Sequence, residues 1–137
     1  KAIDINSSNV DYLFTYAQIN EKIGFIKEAE IAYRKVLELD ELDSESWLNY
    51  SNLLYENEST IEAIEVLRKG VKLNPKNAKL SYRLSAYLFE SGSENQALSI
   101  FEKALSIDYD LHVEFFQYFP SVKDNKNLLH LLTEYKK

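Results

Sequence analysis

The chain has no cysteine and no methionine, and only three glycines and two prolines among its 137 residues. Without cysteine there is no disulfide framework and no thiol chemistry. So few glycines and prolines leave little material for the many turns of an all-β protein, and an almost wholly helical chain is expected. Histidine is scarce too: His112 and His130 are the only two. With no cysteine beside them, neither a zinc site of the usual ligands nor a histidine-containing catalytic triad is expected. A glycine-rich phosphate loop and a nucleophile elbow are also missing, so no enzyme activity, cofactor or metal is expected. No run of Lys and Arg appears, and the formal net charge is -6. A phosphate-backbone binder shows a basic stripe instead, so nucleic acid is not an expected partner. An apolar stretch of about 18 residues and a secretory leader pattern are both lacking. No membrane insertion is therefore expected, and a cytoplasmic location is. What the chain does have is 45% hydrophobic and 28% charged residues, enough for a core with a solvated surface.

What is abundant is repetition. Ala29, Ala63 and Ala97 recur at an interval of 34, and so do Lys1, Lys35, Lys69 and Lys103. Two further registers agree: Ile3, Leu37, Val71, Leu105, then Ile5, Leu39, Leu73, Ile107. A fixed period of this size marks a repeat architecture. Within each period apolar residues return every three or four positions, as in Trp47, Tyr50, Leu54 and again in Ala63, Val66, Leu67, Val71. That spacing is helical, and it occurs twice per unit. Asn9, Asp43 and Asn77 stand where the first helix of each unit should be capped. Ser59 with Glu62, and Ser93 with Gln96, read as capping boxes for the second helices. Gly24 and Gly92 occupy the turn between the two helices, where a left-handed conformation suits glycine; Glu58 replaces them in the middle unit, which predicts a strained or differently shaped turn. Pro75 marks a helix stop.

This pattern resembles the tetratricopeptide repeat (TPR) family over essentially the whole chain. The best unit, 44–77, carries Trp47, Tyr50, Ala63, Leu67, Gly70 and Pro75 at the motif positions. Unit 10–43 keeps Tyr16, Ala17, Gly24, Ala29 and Tyr33, and unit 78–111 keeps Leu84, Gly92, Ala97, Phe101 and Ala104. The usual proline is replaced by Glu41 and Tyr109 in those two. The resemblance implies an all-α fold, a right-handed superhelical stack of antiparallel helix hairpins. Residues 112–137 form a degenerate fourth repeat or C-terminal cap, in which Pro120 stops the helix begun at His112. Phe119 there stands where Ala17, Ser51 and Ser85 are small. A last helix is expected over Asn125 to Tyr135 with Asp124 as its cap. Residues 1–9, and Lys1 to Asn6 above all, read as the tail of a preceding repeat. The piece is thus expected to be the C-terminal part of a longer array, with upstream repeats as partners in stacking.

The function that the resemblance implies is protein–protein interaction, a scaffold that binds a peptide in its concave groove. Phe14, Leu48, Tyr82 and Phe116, again 34 apart, are the expected ladder of that groove. Gln18, Asn49, Asn52, Tyr55, Lys79, Arg83 and Phe89 lie between and beside them. An aromatic strip flanked by amides and two cations suits a peptide with an acidic segment. TPR co-chaperones that grip acidic C-terminal tails use a five-residue carboxylate clamp, and Asn49, Lys79 and Arg83 stand at three of its positions. Phe14 and Gln18 replace a Lys and an Asn at the other two, so a full clamp is not expected. The bland reading of the aromatics is packing between helices. The bland reading of acidic pairs such as Glu28 with Glu30, or Glu62 with Glu65, is a solvated face. Two alternative functions fit the same repeats: a structural or self-assembly spacer, and a regulatory module of a larger multidomain protein.

Overall fold

The computed structural model describes residues 9–136. The helix tail expected at Lys1 to Asn6 lies outside the described residues. Among these residues every regular element is helical: α1 (Val10–Ile23), α2 (Ile26–Leu39), α3 (Ser44–Glu56), α4 (Thr60–Leu73), α5 (Ala78–Glu90), α6 (Glu94–Ile107), α7 (His112–Tyr118) and α8 (Lys126–Tyr135). Short 3-10 turns at Tyr109–Leu111 and Pro120–Val122 flank α7. The chain divides into two compact units, Lys1–Val66 and Leu67–Lys137.

Local chemistry explains the helix starts. The side-chain oxygens of Asn9, Asp43 and Asn77 accept from the backbone N–H groups of Tyr12 (2.9 Å), Ser46 (3.3 Å) and Leu80 (3.0 Å). Each bond satisfies a donor that the first turn of a helix leaves open. One period further on the same register holds Leu111, whose side chain has no acceptor to offer, and there the helix is entered through a 3-10 turn instead.

The turns inside the hairpins repeat equally closely. Phe25, Ser59 and Ser93 donate their N–H groups to Asn20, Leu54 and Leu88 at 2.8–2.9 Å. The residue before each of them is left-handed: Gly24 at φ 91°, Glu58 at φ 64° and Gly92 at φ 88°. Glu58 therefore does not give the middle turn a different shape. It holds the glycine conformation at the cost that a Cβ imposes there. The same bonds undo the expected capping boxes. A capping box needs the N–H of its serine for the return bond, and Ser59 and Ser93 have already spent theirs on the previous helix. Ser93 makes no side-chain cap bond, and Gln96 accepts instead from Arg68. The cap of α8 is Asn125 rather than Asp124, its side chain accepting from Asn127 (3.0 Å) and Leu128 (3.1 Å).

In the first unit α1 packs on α2 and α2 on α3. Ala17, Ala29, Tyr33 and Val36 are fully buried, and Tyr33 stacks on Tyr50 with ring centroids 6.3 Å apart. Glu30 is not on a merely solvated face: Arg34 meets it at 2.6 Å and the Tyr50 hydroxyl donates to it at 3.2 Å. In the second unit α5 packs on α6, and Ser85 reaches across to donate to the Ala97 carbonyl at 3.0 Å. That contact requires a small residue on both helices. Leu84, Tyr87, Phe101 and Leu105 complete this core.

After the third repeat α7 is short, ending at Tyr118, with Pro120 opening the next 3-10 turn. Helix α8 lies along α6, where Asn127 donates to Glu94 (2.9 Å) and Tyr135 to Glu102 (2.8 Å). Leu128 is fully buried beneath it.

Candidate interaction site

The side chains of Lys79, Tyr82 and Arg83 come from the first two turns of α5, whose opposite face is held in the core by Leu80, Leu84 and Tyr87. Spacing of three and four residues keeps all three on one side of a helix. Across from them α7 is pinned by aromatic contacts: Phe115 lies 5.1 Å from Phe101 and 5.6 Å from Tyr82, centroid to centroid. Between α5 and α7 an open, shallow hollow is lined by these α5 residues and by Leu111, Glu114, Phe115, Tyr118 and Phe119.

The hollow is aromatic on one wall and charged at its rim. Tyr118 is 67% exposed and leaves its ring to solvent. Phe119 sits edge-on to Tyr87 at 6.0 Å, and the Arg83 guanidinium lies 5.9 Å from the Phe119 ring centroid, at the outer reach of a cation–π contact. Lys79 Nζ faces Glu114 Oε1 at 3.7 Å. Two cations and one carboxylate thus line a hollow on a protein whose net charge is negative. Tyr82 is buried, and its hydroxyl donates to the Asp108 carbonyl at 2.8 Å. Burial, and then the nearby charges of Asp108, Tyr109 and Asp110, hold that phenol well above its ordinary pKa.

Of the residues singled out in the sequence, Lys79, Tyr82 and Arg83 share this hollow. Phe89 and Phe116 belong to the same unit but not to its lining. Both are half-buried, Phe116 with its ring 5.2 Å from that of Phe115. In the first unit Gln18 is exposed, Asn49, Asn52 and Tyr55 are half-buried, and Leu48 is buried. Phe14 is half-buried with its ring edge-on to Tyr33 at 6.1 Å. The ladder of four is therefore uneven: Leu48 and Tyr82 spend most of their surface on the core. Sequence reasoning missed Glu114, Tyr118 and Phe119 as lining residues. The signal for Phe119 was present, since a large ring stands there in a register that holds Ala17, Ser51 and Ser85 in the three repeats.

Chemistry elsewhere is sparse. Glu21 accepts from the Tyr33 hydroxyl at 2.9 Å, and burial raises its carboxyl pKa more than that bond lowers it. The pair is a closed hydrogen bond within the first hairpin. Among the described residues, no group of three or more His, Cys, Asp or Glu is placed to hold a metal ion. No helix among them is long and apolar enough to cross a membrane.

The chain is similar to a peroxisomal targeting signal receptor of Candida albicans, 28% identical over 97 residues, which are 71% of this chain. The chain spans only 16% of the length of that relative. Among solved structures, a crystal structure of MamA superposes with a TM-score of 0.73 at 21% identity, covering 98% of this chain and 78% of the other. The first TPR of Spaghetti (RPAP3), bound to the HSP90 peptide SRMEEVD, matches with a TM-score of 0.65 at 18% identity, covering 94% and 91%. A tetratricopeptide repeat model matches residues 10–41, 44–77 and 78–111, the three units whose caps and turns repeat in the structure. These matches take in well over half of the sequence, and the chain belongs to the tetratricopeptide repeat family.

Proposed function

We propose that this chain is a protein-interaction module and that the hollow between α5 and α7 seats an acidic, extended segment of a partner protein. The observation that carries the reading is the pairing of Lys79 and Arg83 on one helix face with the exposed Tyr118 and the half-buried Phe119 opposite. Lys and Arg supply up to eight N–H donors to a carboxylate, Arg in a fork that matches both of its oxygens. The aromatic wall gives a neighbouring apolar side chain of the ligand a surface to cover. The similarity to a TPR domain bound to SRMEEVD supports the choice of an acidic ligand class. Charge recognition falls on Lys79 and Arg83, the two cations that line the hollow.

Fluorescence anisotropy with labelled SRMEEVD as probe tests this. Lys79→Glu together with Arg83→Glu should weaken binding several-fold, and added salt should weaken wild-type binding in the same direction. Unchanged affinity in the double variant would remove both residues from the site.

A further inference from the structure

Glu114 stands in a register where a carboxylate is out of place. The corresponding residues in the three complete repeats are Tyr12, Ser46 and Leu80. Ser46 and Leu80 are fully buried. Tyr12 is half-buried, so the register faces inward fully or in part in the three repeats, and none of them places a charge there. A charge that breaks a local packing rule points to a role other than packing. In α7 the break is possible because the helix is cut short after Tyr118, leaving this register at the rim of the hollow.

The carboxylate sits beside one of the two cations of the hollow. Its Oε1 lies 3.7 Å from Lys79 Nζ, and both side chains keep more than two fifths of their surface in solvent, 45% for Lys79 and 42% for Glu114. At that distance and exposure the pair is weak and opens at little cost. Arg83, the other cation of the hollow, has its guanidinium 5.9 Å from the Phe119 ring centroid and, among the described residues, in no ion pair.

Building on the function proposed above, we infer that Glu114 is a built-in competitor: it occupies Lys79 in the ligand-free protein and yields that cation to an incoming acidic segment. The device sets a threshold. A ligand must offer Lys79 a carboxylate in better geometry than Glu114 does, so weakly acidic segments are turned away while Arg83 keeps its role. Displaced, Glu114 presents a carboxylate beside the bound ligand and favours segments that carry a Lys or Arg next to their acidic residues.

The test is a double-variant cycle with the SRMEEVD probe. Glu114→Gln keeps the side-chain size and removes the competitor, so affinity should rise about two- to fivefold, the range spanned by opening an exposed ion pair. In a Lys79→Met background the same substitution should lose more than half of that gain on a logarithmic scale, because there is no cation left to release. Unchanged or weaker binding by Glu114→Gln, while wild type binds, overturns the competitor and leaves the peptide seat standing. A gain undiminished in the Lys79→Met background also overturns it, since Glu114 would then act by general repulsion. Absence of binding by both wild type and Glu114→Gln at millimolar protein overturns the seat and the competitor together.

Discussion

At the scale of single residues, Glu58 carries the clearest stored cost. Its φ of 64° is the conformation that Gly24 and Gly92 adopt in the equivalent turns. A left-handed non-glycine residue costs about 1–2 kcal/mol, partly offset by the extra freedom that glycine has in the unfolded chain, about 0.4–1 kcal/mol. Glu58→Gly is therefore expected to stabilise the protein by about 0.5–1 kcal/mol, measured by urea unfolding. Tyr82 gives a prediction in pH. Its buried phenol stays neutral well above the ordinary tyrosine range, whereas in the unfolded chain it ionises near pH 10. Above that pH the unfolded state binds fewer protons than the folded one, so stability is fully present below pH ~10 and falls as pH rises further. Tyr33 is shifted in the same direction, by burial and by its bond to Glu21. Unfolding free energies between about pH 8 and 11 should fall less steeply in Tyr82→Phe than in wild type. At neutral pH that variant should lose about 0.5–1.5 kcal/mol with the bond to Asp108. An unchanged alkaline slope would show that Tyr82 ionises freely in the folded protein.

At the scale of helices, the small residues fix how closely each hairpin closes. Ala29, Ala63 and Ala97 have no exposed surface, and the Ser85 to Ala97 bond shows what that closeness permits. Ala97→Leu should therefore cost about 1–3 kcal/mol by overpacking and lower the melting temperature, whereas no loss would mean that α5 and α6 have room to part. Much of this level was readable in advance. The caps at Asn9, Asp43 and Asn77 follow from short polar side chains at one register, and the end of α7 follows from Pro120. The capping boxes at Ser59 and Ser93 were misread because their N–H groups belong to a longer-range turn bond that side-chain spacing does not reveal. Asp124 and Asn125 are both competent caps, and only the observed path of the backbone chooses the second.

At the scale of the molecule, the repeat period carried the family and the helical fold, because a period of 34 constrains every register at once. The site was less readable. Period alone put Phe14, Leu48, Tyr82 and Phe116 in one class, yet Leu48 and Tyr82 are buried while Phe14 and Phe116 are not. Glu114, Tyr118 and Phe119 come to the hollow only because the chain after Leu111 departs from the period, and a repeat pattern is silent about its own exceptions. The central claim is that the hollow of the second unit receives an acidic segment. The most direct test is 1H–15N NMR of the labelled chain titrated with SRMEEVD. Shift changes are expected to concentrate on residues 79–83 and 114–119 and to vanish in Lys79→Glu with Arg83→Glu. Changes confined to residues outside those stretches, or none at millimolar peptide, would contradict it.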